Sequence, residues 1–200
     1  SDVCSSDLDN SVALATFDET PTTHLVITSE VVVAHYLSLR TTVPLLERAV
    51  EWPFTYEPEE QRALSAYLIA QSHTPDFIAW VTAGATENET IAMLMQLSQC
   101  IYETFTYQLR DEEGVQSPDE TLQHRTGSCR DYAWLFVEAC RTLGLAARFV
   151  SGYFHPAGTA LTDGATHAWA EVYLPGAGWT GFDPTCNRMT AENHVPVAAA

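Results

Sequence analysis

The strongest constraint on the fold is a change in the spacing of apolar residues close to Gly144. Before this glycine, apolar residues recur at helical spacing and predict one buried helix face: Tyr132, Ala133, Phe136, Ala139, Cys140 and Leu143. After it, apolar and polar residues alternate, which predicts strands over 147–154, 166–174 and 179–183. One core helix against an antiparallel sheet is an α+β arrangement.

The ends of this helix are marked by residues that favour helix termini. Ser128 followed by Asp131 is a variant of the capping box, and Gly144 stands where a glycine commonly ends a helix. These limits place Cys129 in the first turn, where unpaired N–H groups and the helix dipole favour a thiolate. Gly127 lets the backbone turn sharply just before it. Cys129 is therefore a candidate nucleophile.

A base and an orienting acid are expected from the strands that follow. Alternation in the strand 166–174 sets His167 on the face opposite its alanines. If Val172 pairs with Gly178 across the turn, Asp183 lies opposite His167, and a register shifted by two residues still leaves them diagonal neighbours. A carboxylate beside an imidazole fixes its tautomer and stabilises the imidazolium.

Four blocks of sequence resemble the transglutaminase-like superfamily and occur in its order: 125–133, 146–153, 166–172 and 181–185. The resemblance implies a papain/transglutaminase-like core, with the nucleophile at the N-terminus of a buried helix packed on an antiparallel sheet. It also implies a catalytic triad of Cys129, His167 and Asp183 that attacks an acyl group and needs no cofactor or metal. Bacterial relatives in this superfamily are often labelled as cysteine proteases. The resemblance therefore implies a peptide or protein substrate, and amidase or peptidase activity rather than cross-linking.

The chain is expected to divide into four segments. Residues 1–8 are polar and patternless, so they are expected to be unstructured or non-native. Residues 9–40, with strands over 12–17 and 25–37, resemble the last part of a β domain that precedes the core in the family. Residues 41–89 are expected to form a linker and helices, the helices lying over 58–70 and near 77–81. Residues 90–200 are expected to form the catalytic core, which begins with a helix predicted over 90–107 and capped by Thr90. Both ends are expected to be cuts through a longer protein.

The amino-acid composition limits the classes of partner that are expected and indicates a cellular compartment. The formal charge of −17 comes from 26 acidic and 9 basic residues, all of the latter arginine, which disfavours nucleic acid and anionic membranes. The five cysteines show no disulfide-framework or zinc-finger spacing, so free thiols in a reducing compartment are expected. Neither a secretory signal nor a membrane-length apolar run is visible, which predicts a cytoplasmic protein. The oligomeric state is left open.

The oxyanion hole and the substrate groove are less well defined. The backbone N–H of Cys129 is one natural oxyanion donor, and a second is expected from Gln123, Tyr107 or His124. Trp169 is a candidate for the acyl-binding groove, although an aromatic residue in a strand is more often part of the core.

Three other functions are compatible with the same residues. The first is a non-catalytic binding module on the same fold, and the second is deglycosylation of asparagine, as in the related peptide N-glycanases. The third is a metal site built from Cys129 and His167, for which no further ligands stand at suitable spacing.

Overall fold

The computed structural model describes residues 2–5, 10–14, 23–24, 26, 28, 30, 32, 43–155 and 165–200. In this part of the chain the α-helices are α1 (Pro58–Ala63), α2 (Pro75–Gly84), α3 (Thr90–Thr104), α4 (Pro118–His124) and α5 (Cys129–Thr142). The strands are β1 (Asp2–Ser5), β2 (Ser11–Leu14), β3 (Thr106–Tyr107), β4 (Thr126–Gly127), β5 (Ala147–Phe154), β6 (Ala165–Leu174), β7 (Gly178–Asp183), β8 (Arg188–Met189) and β9 (His194–Ala199).

A five-stranded sheet in the order β8-β7-β6-β5-β9 forms one layer of the core. All of its neighbouring strands pair antiparallel. The α+β prediction is confirmed, and the three predicted strands agree with β5, β6 and β7 to within one residue at each end. Strands β8 and β9 were not predicted.

Helix α5 lies at the centre of the hydrophobic core, against the sheet and helices α2, α3 and α4. Its predicted stripe is buried except for Leu143, which is half-buried. The helix is also covered on other faces, where Glu138 has no exposed surface. That carboxylate accepts hydrogen bonds from His73 Nε2 at 2.9 Å, Arg141 at 3.0 Å and the Gln71 N–H at 2.7 Å. These three donors compensate for the loss of water around a buried charge.

Residues 1–8 were expected to lack structure, whereas β1 pairs antiparallel with β2. Backbone hydrogen bonds between the two strands stabilise this pairing without an apolar pattern. Most of the segment 25–37, predicted as a strand, lies outside the described residues, as does most of the β domain expected over 9–40.

The helices before the core begin and end differently from their predictions. The helix expected over 58–70 stops at Ala63 and is followed by a short 3₁₀ turn, and the one expected over 77–81 extends to the full length of α2. Thr90 was expected to cap α3, but the Glu89 carboxylate accepts the Ile91 and Ala92 N–H groups instead. The Thr90 hydroxyl donates to the Ala49 carbonyl.

Helix α3 also ends three residues earlier than the predicted 90–107, at Thr104. The next residues leave the helix because Thr106–Tyr107 pair in parallel with Thr126–Gly127. This short pairing brings the end of α3 beside the start of α5, and it sets Tyr107 next to the residue that begins the central helix.

Candidate active site

The N-terminus of α5 is built around the carboxylate of Asp131. The backbone N–H and the hydroxyl of Ser128 both donate to it, each at 2.8 Å. A side chain at position 127 would meet Asp131 Cβ at 2.9 Å, so only glycine allows this approach. The predicted cap is confirmed, and it presents Cys129 as the first residue of the helix.

Cys129 interacts with His167, which reaches it from the start of β6. Burial by itself raises the pKa of the Cys129 thiol, but hydrogen bonds from His167 and the backbone, together with the His167 charge, hold that pKa below its usual value. Burial opposes the charged form of His167 as well. Its hydrogen bonds and charge interactions with Asp183 and Cys129 outweigh burial and raise its pKa from 6.5 to about 9. The two shifts favour a thiolate beside an imidazolium.

Asp183 ends β7 and has no exposed surface. Its Oδ2 accepts a hydrogen bond from His167 Nε2 at 2.8 Å and a second from His194 Nε2 at 3.0 Å, and Oδ1 accepts the Thr185 N–H at 2.9 Å. Burial favours the protonated acid, but these donors outweigh it and hold the pKa of Asp183 well below its usual range. Asp183 is therefore a fixed anion behind the imidazole.

The hairpin register differs from the expected one, yet the contact is made. Gly178 pairs with Leu174 and not with Val172. The register is shifted by two residues because the turn contains only residues 175–177. His167 and Asp183 are therefore diagonal rather than directly opposite, and their side chains reach each other across that diagonal.

The family model of the transglutaminase-like superfamily matches residues 76–184. The chain belongs to this superfamily. The match includes Cys129, His167 and Asp183 and ends before Cys186 and His194, both of which lie against Asp183.

Three comparisons illustrate the range of similar proteins. An uncharacterized Mycobacterium tuberculosis protein, Rv2569c, is 35% identical over 116 residues, which is 54% of this chain and 37% of that protein. The periplasmic domain of TgpA from Pseudomonas aeruginosa has a TM-score of 0.51 at 26% identity, covering 66% of this chain and 49% of that chain. A proposed cysteine protease from Cytophaga hutchinsonii has a TM-score of 0.60 at 21% identity, covering 77% and 51%. The chain thus spans from about a third to about half of the length of the chains it is compared with.

His194 is a residue of this transglutaminase-like site that sequence reasoning missed. It begins β9, which pairs with β5 on the far edge of the sheet, so nothing in its local pattern connects it with Asp183. Its Nδ1 accepts the Ala191 N–H at 3.3 Å, which leaves Nε2 to carry the proton donated to Asp183. His194 therefore helps to hold the carboxylate.

Cys186 is the second residue that was missed. It follows Pro184-Thr185 after β7 and is half-buried, with a hydrogen bond to Asp183. Burial and the negative charge of Asp183 raise the pKa of its thiol to about 12, so Cys186 stays protonated at neutral pH. The pKa of the Cys129 thiol in the same site is shifted in the opposite direction, to below its usual value.

A cavity of about 360 Å³ opens in front of Cys129 and His167. Its walls include Phe149 and Ser151 of β5 and Val115 of the loop before α4. Trp169 does not line this cavity: it is 1% exposed, and its ring packs 5.3 Å from that of His194. The structure therefore places Trp169 in the core behind the site, which is the alternative that sequence analysis left open.

The loop that forms one wall of the cavity is attached to the start of α5. Arg110 Nη1 lies 2.6 Å from the buried Asp131 carboxylate, which also accepts the Gln116 N–H at 2.8 Å. Arg130 donates to the Arg110 carbonyl at 3.1 Å. The carboxylate that caps the helix of Cys129 thus also positions the loop carrying Val115.

Of the three candidates for a second oxyanion donor, Tyr107 lies beside Cys129. Burial, the Cys129 charge and a hydrogen bond to Cys129 raise the pKa of its phenol, so the hydroxyl keeps its proton and is a donor. Gln123 lines a different cavity with Trp80, and His124 is exposed at the end of α4. Tyr107 owes its place to the parallel pairing of β3 and β4.

Proposed function

We propose that this protein hydrolyses an amide or peptide bond through a thioester on Cys129, with His167 as the proton carrier and Asp183 as its orienter. The observation that carries the proposal is the contact between a thiol with a lowered pKa at a helix N-terminus and an imidazole held by a buried carboxylate. These are the requirements of an activated thiol nucleophile.

Among the described residues, no helix is long and apolar enough to span a bilayer.

The first half of the reaction forms the acyl-enzyme. The Cys129 thiolate attacks the carbonyl carbon, and the C–N bond breaks as the His167 imidazolium gives its proton to the leaving amine. Negative charge that develops on the carbonyl oxygen is stabilised by the Cys129 N–H and the Tyr107 hydroxyl. The products are a thioester and a free amine.

The second half resolves the thioester. Neutral His167 takes a proton from water, the hydroxide attacks the carbonyl, and the C–S bond breaks to give a carboxylic acid and the Cys129 thiolate. The cavity before Cys129 is open to solvent, which supports water as the acceptor over an amine. The substrate we propose is a peptide or protein.

Alkylation tests the nucleophile without knowledge of the substrate. Iodoacetamide is applied from about pH 5 to about pH 9, and the modified cysteines are identified by mass spectrometry. Cys129 should react well below the pH at which half-exposed Cys100 begins to react, and His167→Ala should remove this advantage. Labelling of Cys129 no faster than Cys100 refutes the assignment and favours a binding module.

The reaction itself is tested on glutamine-containing peptides, with ammonia release and amine incorporation measured in parallel. We expect hydrolysis to exceed incorporation and both to disappear in Cys129→Ala. Activity that survives this substitution would exclude Cys129 as the nucleophile. Hydrolysis of a glycosylated asparagine peptide, with the glutamine peptides untouched, would support deglycosylation instead.

A further inference from the structure

Three metal-binding side chains converge at the inner end of the site. The nearest ligand atoms of His167, Asp183 and Cys186 all lie within 4.8 Å of one another. His167 and Asp183 belong to the proposed catalytic machinery, whereas Cys186 has no part in the reaction above. Cys186 also lies beyond residue 184, where the superfamily match ends. The cluster is therefore a feature of this chain's tertiary structure that the proposed function does not explain.

The chemistry of the three donors favours Zn²⁺. Imidazole nitrogen, carboxylate oxygen and thiolate sulfur bind zinc at about 2.0–2.3 Å, and three protein ligands with one open position are typical of reactive zinc sites. Neighbouring ligand atoms in such a site are about 3–4 Å apart. The His167–Asp183 separation of 2.8 Å is already close to that range, and the Cys186 sulfur needs only a small approach.

The surroundings hold the ligands as a metal site requires. His194 and the Thr185 N–H both donate to Asp183, so the carboxylate is oriented by groups outside the three ligands. His167 and Asp183 side chains are 9% and 0% exposed, and Cys186 is half-buried, which limits competition from water. The carboxylate and a metal-bound thiolate together balance the charge of a divalent cation.

We propose that His167, Asp183 and Cys186 form a zinc site that inhibits this protein. Zinc bound there occupies His167 and Asp183, so the imidazole no longer exchanges protons with Cys129 or the leaving amine. The fourth position is open to water. The inhibitory consequence rests on the proposed function, whereas metal binding itself does not.

Zinc binding is measured by calorimetry on the metal-free protein, and Co²⁺ is used as a spectroscopic probe of sulfur ligation. The wild type should bind one equivalent of Zn²⁺ and show a near-ultraviolet thiolate-to-cobalt band. Cys186→Ser should lose the band and bind zinc at least about tenfold more weakly, since even an outer-shell partner contributes this much. Cys100→Ser is the matched control and should behave as wild type.

Three results would overturn the proposal: no one-to-one binding to the wild type, unchanged affinity in Cys186→Ser, or a cobalt band that survives in Cys186→Ser and vanishes in Cys129→Ala. If Cys186→Ser does not fold, the other variants still decide, because the cobalt band must then persist in both Cys129→Ala and Cys100→Ser. Alkylation of Cys129 in metal-free protein tests the proposed function separately. A negative alkylation result refutes the proposed function but does not affect the zinc titration. A negative zinc titration refutes the metal site but does not affect the alkylation result.

Discussion

At the scale of single residues, Asp183 is a fully buried carboxylate that is held by three donors. One oxygen accepts hydrogen bonds from the imidazoles of His167 and His194, and the other accepts a backbone N–H. Because the carboxylate is fully buried, each donor replaces water that the fold has excluded. Loss of one donor therefore leaves a charged oxygen poorly satisfied.

Replacement of His194 by leucine should test this constraint. His194→Leu removes one donor to Asp183 and leaves the Ala191 N–H unpaired, so we expect unfolding to become easier by about 1–3 kcal/mol in urea denaturation. His194→Gln should recover part of the loss, since its amide offers a donor at similar reach. His124→Leu, at an exposed position, should change little. Equal stability of His194→Leu and wild type would contradict a role for this hydrogen bond.

The coupling between Cys129 and His167 predicts a pH dependence. The pKa of His167 is raised from 6.5 to about 9. The interactions of its charged form therefore stabilise the folded protein fully below about pH 6.5, and this stabilisation is lost as the pH rises through about 9. Acyl transfer, which needs the imidazolium as an acid, should decline above about pH 9, whereas alkylation of the Cys129 thiolate should not.

Proton NMR of the imidazole provides the direct measurement for this prediction. Cys129→Ala removes a hydrogen bond and a charge that raise the pKa of His167, so the His167 titration should move to lower pH. Cys100→Ala is the control and should leave it in place. An unchanged His167 titration in Cys129→Ala would show that the two residues are not coupled.

At the scale of secondary-structure elements, the close pairing of β5 with β9 brings His194 to the site. The register shifts between Ser151 and Gly152, and at that point the strands approach so closely that a side chain at position 152 would overlap the Val195 carbonyl oxygen. It would also meet Trp169 Cη2 at 2.6 Å. Glycine at this position therefore permits the approach of β9.

Gly152→Ala should push β9 away from β5. Overpacking of this kind costs about 1–3 kcal/mol, which urea denaturation will report, and the displaced strand should also reduce the rate of Cys129 alkylation near neutral pH. Tyr153→Phe, at an exposed position on the same strand, is the control and should change neither value. A fully stable Gly152→Ala with normal alkylation would mean that the strand pairing tolerates the extra methyl group.

At the scale of the whole molecule, the segment before α2 is attached to the five-stranded sheet. The Tyr56 hydroxyl donates to the Tyr173 carbonyl at 2.8 Å and accepts the Ala146 N–H at 3.0 Å. Further along the chain, Phe77 and Val81 lie in the same hydrophobic cluster as α5. The region expected as linker and helices over 41–89 thus contributes to the core that holds the site.

Tyr56→Phe should measure this attachment. The substitution keeps the ring but leaves a buried N–H and a carbonyl without their partner, so we expect a loss of about 1–3 kcal/mol in unfolding free energy, with alkylation of Cys129 unchanged in the folded protein. Tyr102→Phe is the control, because Tyr102 is 54% exposed. A loss no larger than that of the control would show that the segment is not coupled to the sheet.

Cytoplasmic location and the absence of nucleic-acid partners stay predictions.

The amino-acid sequence by itself determined the features that depend on near neighbours in the chain. The period of apolar residues predicted α5 and strands β5 to β7, and the Ser128 cap placed Cys129 at the helix start. The alternation of β6 and a turn near residue 176 were enough to bring His167 and Asp183 into reach, because a two-residue error in register leaves them diagonal. Backbone geometry transmits such patterns over a few residues.

Only the tertiary structure decided the rest of the site. His194 meets Asp183 because β9 pairs with β5, Tyr107 meets Cys129 because β3 pairs with β4, and Cys186 turns back beside Asp183 after β7. No local pattern marks these residues, since their pairings are stabilised by packing and backbone hydrogen bonds between segments far apart in the chain. For this reason spacing alone indicated no metal ligands beyond Cys129 and His167, whereas the folded chain brings His167, Asp183 and Cys186 together.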